Sequence, residues 1–333
     1  MRQKRVLWGE KPYRSLDYEL KRQFGEKVYK LSLNGGMTCP NRDGSIGRGG
    51  CIFCSAGGSG DFAGGAGASI REQMMEQKLR LEKKHAQKYI AYFQAYTNTY
   101  APVEYLEEIF TEAVKDEEVV ALSVATRPDC LPEEVLGLLE GLNRWKPVWV
   151  ELGLQTIHED TALRIRRGYE LPCFEAAVRE LRSRGLEVIV HTILGLPGED
   201  GKRMLQTIEY LNGLDIQGIK LQLLHVLRGT RLGEIYIRQR EACDEKDSTD
   251  GGQTETAEEF PRIEPLDMEA YIDLVIELLE HLSPEITVHR VTGDGPRELL
   301  LAPLWSVQKH KVLNLLHREM KRRESWQGKQ QII

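Results

Sequence analysis

No stretch of this 333-residue chain is apolar for long enough to cross a bilayer, so the sequence predicts neither a membrane anchor nor a membrane partner. Cysteine is sparse: six residues at uneven spacing, with no leader-like segment ahead of them. That usage argues against a disulfide framework and for a reducing compartment, so a cytoplasmic protein is expected. No recognised RNA-binding module is present, and the net charge of −6 argues at face value against a polyanionic partner. The acid excess is local, however. Residues 241–260 hold eight acids against Lys246 alone; setting these aside from totals of 51 acidic and 45 basic residues leaves 43 and 44. A neutral body with basic ends permits a polyanion without requiring one.

What the chain does have is three cysteines in one glycine-rich stretch. Cys39, Cys51 and Cys54 lie in Leu33-Asn34-Gly35-Gly36-Met37-Thr38-Cys39-Pro40 and Gly49-Gly50-Cys51-Ile52-Phe53-Cys54, just after the strand-like run Lys27–Leu33. The glycines at 57, 58, 60, 64, 65 and 67 let the backbone wrap closely around an inorganic core. Three soft thiolates suit a [4Fe–4S] cluster that leaves one iron open. Zinc would want a fourth ligand, and the next histidine is His85, most of a helix away. Cys130, Cys173 and Cys243 show no grouping, which argues against a second cluster; Cys130 stands out only for its place beside a predicted strand end.

Six apolar, β-branched-rich runs, 27–33, 89–95, 119–125, 147–153, 186–193 and 216–223, alternate with segments of helical period. Val103, Leu106, Ile109, Phe110 and Val114 mark one buried helix face, and Leu205, Ile208, Leu211 and Leu214 another. The alternation predicts an α/β fold with a parallel sheet and right-handed crossovers. Periodicity leaves a partial (β/α) barrel and an open doubly wound sheet both standing. An N-terminal arm, 1–26, is expected to carry a short helix from Leu16 to Phe24 ended by Gly25, ahead of a core over 27–232. The remainder, 233–333, is expected to be an extension. It would comprise an acidic mobile insertion (240–262), an amphipathic helix (Tyr271 to Leu282), a strand (Ile286 to Val291) and a basic helix from about Ser306 to Arg323, forming a small α/β cap.

These motifs resemble the radical SAM superfamily over nearly the whole chain. Phe53 holds the aromatic place before the last cysteine, and Cys39-Pro40-Asn41-Arg42-Asp43-Gly44 with Arg48-Gly49-Gly50-Cys51 resembles the long first spacing of its YhcC/YtqA-like subfamily. The resemblance implies a partial (β/α)6 barrel, a [4Fe–4S] cluster on Cys39, Cys51 and Cys54, and S-adenosyl-L-methionine (SAM) at the open iron. For SAM contacts it implies Phe53, then Thr97 and Asn98, which occupy the place of the family's GGE motif without its glycines or glutamate. It further implies Gln155 and Arg167 by spacing, the arginine suiting the methionine carboxylate through its planar fork, and Gly195 and Pro197 of Gly195-Leu196-Pro197-Gly198-Glu199 on the adenine side. His191 stands where the oxygen-independent coproporphyrinogen oxidase carries an acid, and its role stays open.

Thr126-Arg127-Pro128-Asp129, Leu227–Leu232, Arg290–Asp294 and Ala302–Trp305 resemble the Elongator catalytic subunit and its C-terminal radical SAM extension. Arg228, Arg231 and Arg290 there are phosphate contacts or internal salt bridges, and the sequence does not rank the two. The implied activity is cleavage of SAM to a 5′-deoxyadenosyl radical, fed by an electron donor such as flavodoxin or ferredoxin. Subfamily association and the basic last helix point to tRNA, with conversion of carboxymethylaminomethyl to aminomethyl at wobble uridine. A radical enzyme acting on a small metabolite, and a non-catalytic iron–sulfur regulator, are the alternatives.

Overall fold

The computed structural model describes residues 5–58, 60, 63–65, 67–246, 260–293 and 295–331. After α1 (Leu16–Phe24), the chain alternates through β1 (Val28–Leu33), α2 (Pro40–Asp43), α3 (Ile70–Leu81), β2 (Lys88–Phe93), α4 (Val103–Lys115), β3 (Val119–Thr126), α5 (Glu133–Asn143), β4 (Val148–Gln155), α6 (Glu159–Arg164), α7 (Leu171–Ser183), β5 (Glu187–Leu194), α8 (Gly201–Asn212) and β6 (Gly218–Leu223). The expected strands are all present, with ends shifted by at most two residues. There follow β7 (Val226–Leu227), α9 (Arg231–Lys246), α10 (Met268–His281), β8 (Thr287–Arg290), β9 (Leu300–Ala302) and α11 (Lys309–Arg322).

All seven strands of the main sheet are parallel, in the order β1-β2-β3-β4-β5-β6-β8, and the sheet curls into a half-barrel. Sequential order follows from right-handed strand–helix–strand units, each adding one neighbour. The helices supply the outer layer through apolar stripes: α4 buries Leu106, Ile109, Phe110, Ala113 and Val114 against the sheet.

The structure corrects the sequence reading of the C-terminal segment twice. The strand expected in a separate cap is β8, which pairs with β6 (Gly218↔Thr287, Lys220↔Arg290) and so extends the barrel itself. A four-residue strand, with two buried residues followed by two half-buried ones, carries no signal for which sheet it joins. The expected insertion at 240–262 begins inside helix α9, which runs on to Lys246; residues 247–259 lie outside the described residues. Its far end is anchored, since Gln239 donates to Phe260 O (3.1 Å) and accepts from Ile263 N (2.9 Å).

The arm clasps the barrel's open edge. Ser15 caps α1, Gly25 ends it with φ of +78°, and Val288 N of β8 donates to Arg14 O at 2.7 Å.

Candidate active site

The three cysteines are brought together at the carboxyl end of the sheet, where parallel α/β folds expose loop backbone and build sites. Cys39 caps the single turn α2, which Pro40 starts and Gly44 ends at φ of +102°. Cys54 N donates to Cys51 O (3.0 Å), closing a tight turn. That turn is pinned from two sides: Ile52 N donates to Ile165 O (3.1 Å), and Leu232 N donates to Ile52 O (2.8 Å). Asn41 ties the two halves of the motif. Its Nδ2 donates to Arg166 O (2.6 Å) and to Cys51 Sγ (3.5 Å), and its carbonyl accepts from Gly50 N (2.8 Å). Arg42 donates to Cys54 O (3.1 Å) and to Ser55 O. Gly47 is required because a Cβ there would lie 2.3 Å from Asn41 Oδ1.

This donor set fits an iron–sulfur cluster. Three thiols sit close enough to feel one another: burial pushes the Cys51 thiol up to about 12, and Cys54 and Cys39 add to the rise. A coordinating iron would reverse that by deprotonating the thiols outright, and the Asn41 amide already donates to the Cys51 sulfur. Among the described residues no three His, Cys, Asp or Glu side chains converge on a point suited to one metal ion. A cluster has no such requirement, because its own irons and sulfides stand between the thiolates.

Beside Cys54 opens a cavity of about 320 Å³, bounded by Phe53, Tyr92, Gln94, His191, Lys220, Gln222, His225, Arg290 and Lys309 among others. Among the described residues three basic side chains line it and no carboxylate does. Beneath it lies a buried ionic layer. Glu151 Oε1 accepts from Lys30 Nζ (2.9 Å) and Ser123 Oγ (2.8 Å); its Oε2 meets His191 Nε2 (2.7 Å) and Lys220 Nζ. Lys220 also donates to Tyr92 OH (3.0 Å), and both lysines stack on the Tyr92 ring. Register makes this layer: His191, Lys220 and Arg290 stand side by side on β5, β6 and β8. Burial alone would raise the Glu151 carboxyl, but Lys220 and Lys30 hold it well below the usual carboxylate range.

Burial, aided by Lys220, pulls His191 down to about 4, and burial with Lys309 and Arg290 pulls His225 down to about 4. Burial, then Lys30, takes His289 well below its ordinary value. All three stay neutral in the fold while the unfolded chain protonates them near pH 6.5. Stability therefore falls as pH drops from about 6.5 toward 4, by at most about 1.4 kcal/mol per pH unit per histidine. Urea midpoints of the cluster-loaded protein should decline from pH 7 to pH 5, and His225→Asn should flatten that slope by about one proton.

Of the sequence-predicted SAM contacts, only Phe53 lines the cavity beside Cys54. Thr97 and Asn98 are buried behind the cysteine stretch, with Thr97 N donating to Thr38 O (3.2 Å). Asn98 Nδ2 donates to Ala125 O (2.8 Å), while its Oδ1 is buried without a partner among the described residues, an acceptor suited to an ammonium. Gln155, at φ of +65°, accepts from Tyr169 OH (3.3 Å). Gly195 (φ +86°) and Pro197 form a turn outside the cavity lining, where Pro197 O accepts from Arg164 (3.0 Å).

Arg167 departs from its expected role as a carboxylate ligand. It is 1% exposed, and its guanidinium donates to Tyr169 O, Leu154 O, Thr156 O and Glu159 Oε1. It locks the β4–α6 junction and does not line the cavity. Sequence reasoning missed Tyr92, Lys220, Gln222, His225 and Lys309. The available signal was a charge inside an apolar strand, as in Gly218-Ile219-Lys220-Leu221 and Val150-Glu151-Leu152.

This half-barrel with three cysteines at its carboxyl end defines an iron–sulfur enzyme class. The Radical SAM superfamily model matches residues 39–211, and the Radical_SAM C-terminal domain model matches 255–322. The chain belongs to the radical SAM superfamily, and its cofactors are a [4Fe–4S] cluster and SAM. It is 46% identical over 321 residues to the uncharacterized protein YtqA of Bacillus subtilis (96% of this chain, 93% of that protein). It is 40% identical over 288 residues to the protein YhcC of Escherichia coli (86% and 85%). The tRNA uridine(34) acetyltransferase of Methanocaldococcus jannaschii is 31% identical over 122 residues, 36% of this chain and 22% of that protein. The solved structure of archaeal Methanocaldococcus infernus Elp3 shares the fold, with a TM-score of 0.64 at 16% identity over 90% of this chain and 64% of that one.

Proposed function

We propose that this radical SAM enzyme acts on tRNA, converting the carboxymethylaminomethyl substituent of wobble uridine to aminomethyl. The observation that carries the reading is the cavity beside Cys54, whose charged lining among the described residues is basic: Lys220, Arg290 and Lys309 suit a substituent ending in a carboxylate. Likeness to a tRNA uridine(34) acetyltransferase supports a uridine at that tRNA position. So do the basic residues His310, Lys311, Arg318, Lys321 and Arg322 on the exposed side of α11.

In this reading Cys39, Cys51 and Cys54 hold the cluster. Phe53, Thr97, Asn98, Gln155, Gly195 and Pro197 surround SAM, with Asn98 Oδ1 accepting from the methionine ammonium. The cluster and SAM, when bound, supply a 5′-deoxyadenosyl radical able to take a hydrogen atom from a C–H bond. The chain's part is to hold the carboxylate at Lys220, Arg290 and Lys309 and to keep the cavity floor dry and fixed through the Glu151 layer. Loss of one hydrogen atom from the methylene to the 5′-deoxyadenosyl radical, then of one electron to a one-electron acceptor such as the oxidised cluster and of one proton to water, would convert the N–CH2 bond of the carboxymethyl arm to C=N. Water then hydrolyses the C=N bond, leaving the aminomethyl group and a two-carbon oxo acid. The segment 233–333, proposed as an extension to the 27–232 core, completes the cavity by contributing Arg290 and Lys309.

The test is anaerobic turnover of the reconstituted enzyme with tRNA carrying the carboxymethylaminomethyl nucleoside, followed by nucleoside mass spectrometry. The aminomethyl nucleoside should appear alongside 5′-deoxyadenosine. 5′-Deoxyadenosine with unchanged tRNA would overturn the tRNA reading and direct the search to small anions.

A further inference from the structure

Beside the Cys51–Cys54 turn, and sharing Cys54 with the substrate cavity, lies a second concavity, of about 540 Å³. Arg42, Arg48, Arg166, Arg231 and Arg238 line it, against the single acid Glu234. These arginines come from four parts of the chain: the motif loop, its glycine hinge, the end of α6 and one face of α9. Arg48, Arg166, Arg231 and Arg238 are exposed and make no ion pair with a described residue. Elsewhere most exposed arginines pair with carboxylates, as Arg22, Arg80, Arg144 and Arg322 do. Arg231, left open by the sequence, makes no salt bridge with a described residue.

The cysteine turn itself lines this basin, through Gly49, Gly50, Cys51, Ile52 and Cys54. Cys54 borders both concavities, so the same loop wall separates the basin from the cluster's place and from the substrate cavity. Arg42 spans that wall, half-buried and donating to Cys54 O.

We infer that this arginine basin is the docking surface for an acidic one-electron carrier protein, which reduces the cluster through the Cys51–Cys54 turn. The step transfers one electron, oxidising the carrier by one unit and reducing the cluster by one. Three features favour this partner over RNA. The basin lies against the cluster ligands rather than at the mouth of the substrate cavity, so a docked carrier leaves that cavity free. Its lining includes the turn that carries two of the cysteines proposed to hold the cluster, which gives an electron a short route. Its charges are arginine forks in a small concavity, matched to carboxylates and to brief, charge-steered encounters. The inference is independent of the tRNA reading, since cluster reduction needs no substrate.

The test uses full-length enzyme and flavodoxin, an acidic carrier, as the probe. Arg231→Glu/Arg238→Glu should weaken flavodoxin binding by about tenfold or more at low ionic strength, with the difference shrinking as salt rises. Bleaching of the cluster by reduced flavodoxin should slow by a similar factor, while reduction by dithionite, a small inorganic reductant, stays within about twofold. Arg231→Gln/Arg238→Gln should give an intermediate loss. Lys83→Glu/Lys202→Glu, of equal net charge but remote from the basin, should leave flavodoxin binding unchanged. Unchanged flavodoxin binding in the basin variants, or a loss confined to tRNA binding, would overturn the inference. An equal slowing of dithionite reduction would do so as well, by showing that the loop itself had been distorted.

Discussion

Glu151→Ala is expected to destabilise the fold by about 3–5 kcal/mol, the largest effect of any single substitution outside the cysteines. The carboxylate is fully buried and is the only acid among Lys30, Lys220 and His191. Its removal leaves buried Lys220 and partly exposed Lys30 without their anion, so the desolvation of Lys220 is no longer offset. Urea unfolding of the cluster-loaded protein measures the loss. Glu151→Met/Lys220→Met should recover part of it, because a buried ion pair replaced by apolar side chains of similar volume is often tolerated. The double variant should nonetheless lose substrate conversion, since Lys220 also lines the cavity. A Glu151→Ala loss below about 1 kcal/mol would mean that water reaches the layer and that it is no fixed floor.

Cys51→Ala is expected to abolish the cluster, with iron and sulfide content near zero and no 5′-deoxyadenosine formed from SAM. Cys51 is the proposed ligand whose sulfur receives the Asn41 amide and whose turn is pinned by Ile165 and Leu232. Cys173→Ala and Cys130→Ala should retain the cluster. Cys130 is buried at the start of the loop after β3, with its thiol directed to Asp129 Oδ1 at 3.8 Å. Retention of the cluster in Cys51→Ala would contradict the ligand assignment.

Much of this was legible in the sequence because local chemistry dictated it. The cysteine spacing, the apolar parallel strands and the Gly25 stop of α1 each act through a few neighbouring residues. What escaped depends on register between distant strands. Lys220 reads locally as one lysine in an apolar run; only alignment with His191 and Arg290 makes it part of a cavity. The joining of β8 to the barrel is likewise a long-range pairing that four residues cannot announce. Arg167 misled for the opposite reason: spacing placed it correctly at the end of α6, but backbone carbonyls had already claimed its donors.

The central claim is that radical chemistry acts on a carboxylate-bearing arm held in the cationic cavity. It is tested most directly with tRNA whose carboxymethylaminomethyl uridine carries deuterium on the methylene next to the carboxylate. A single anaerobic turnover should place deuterium in 5′-deoxyadenosine and release a labelled two-carbon oxo acid with the aminomethyl nucleoside. Unlabelled 5′-deoxyadenosine with fully retained label in the tRNA would contradict the account.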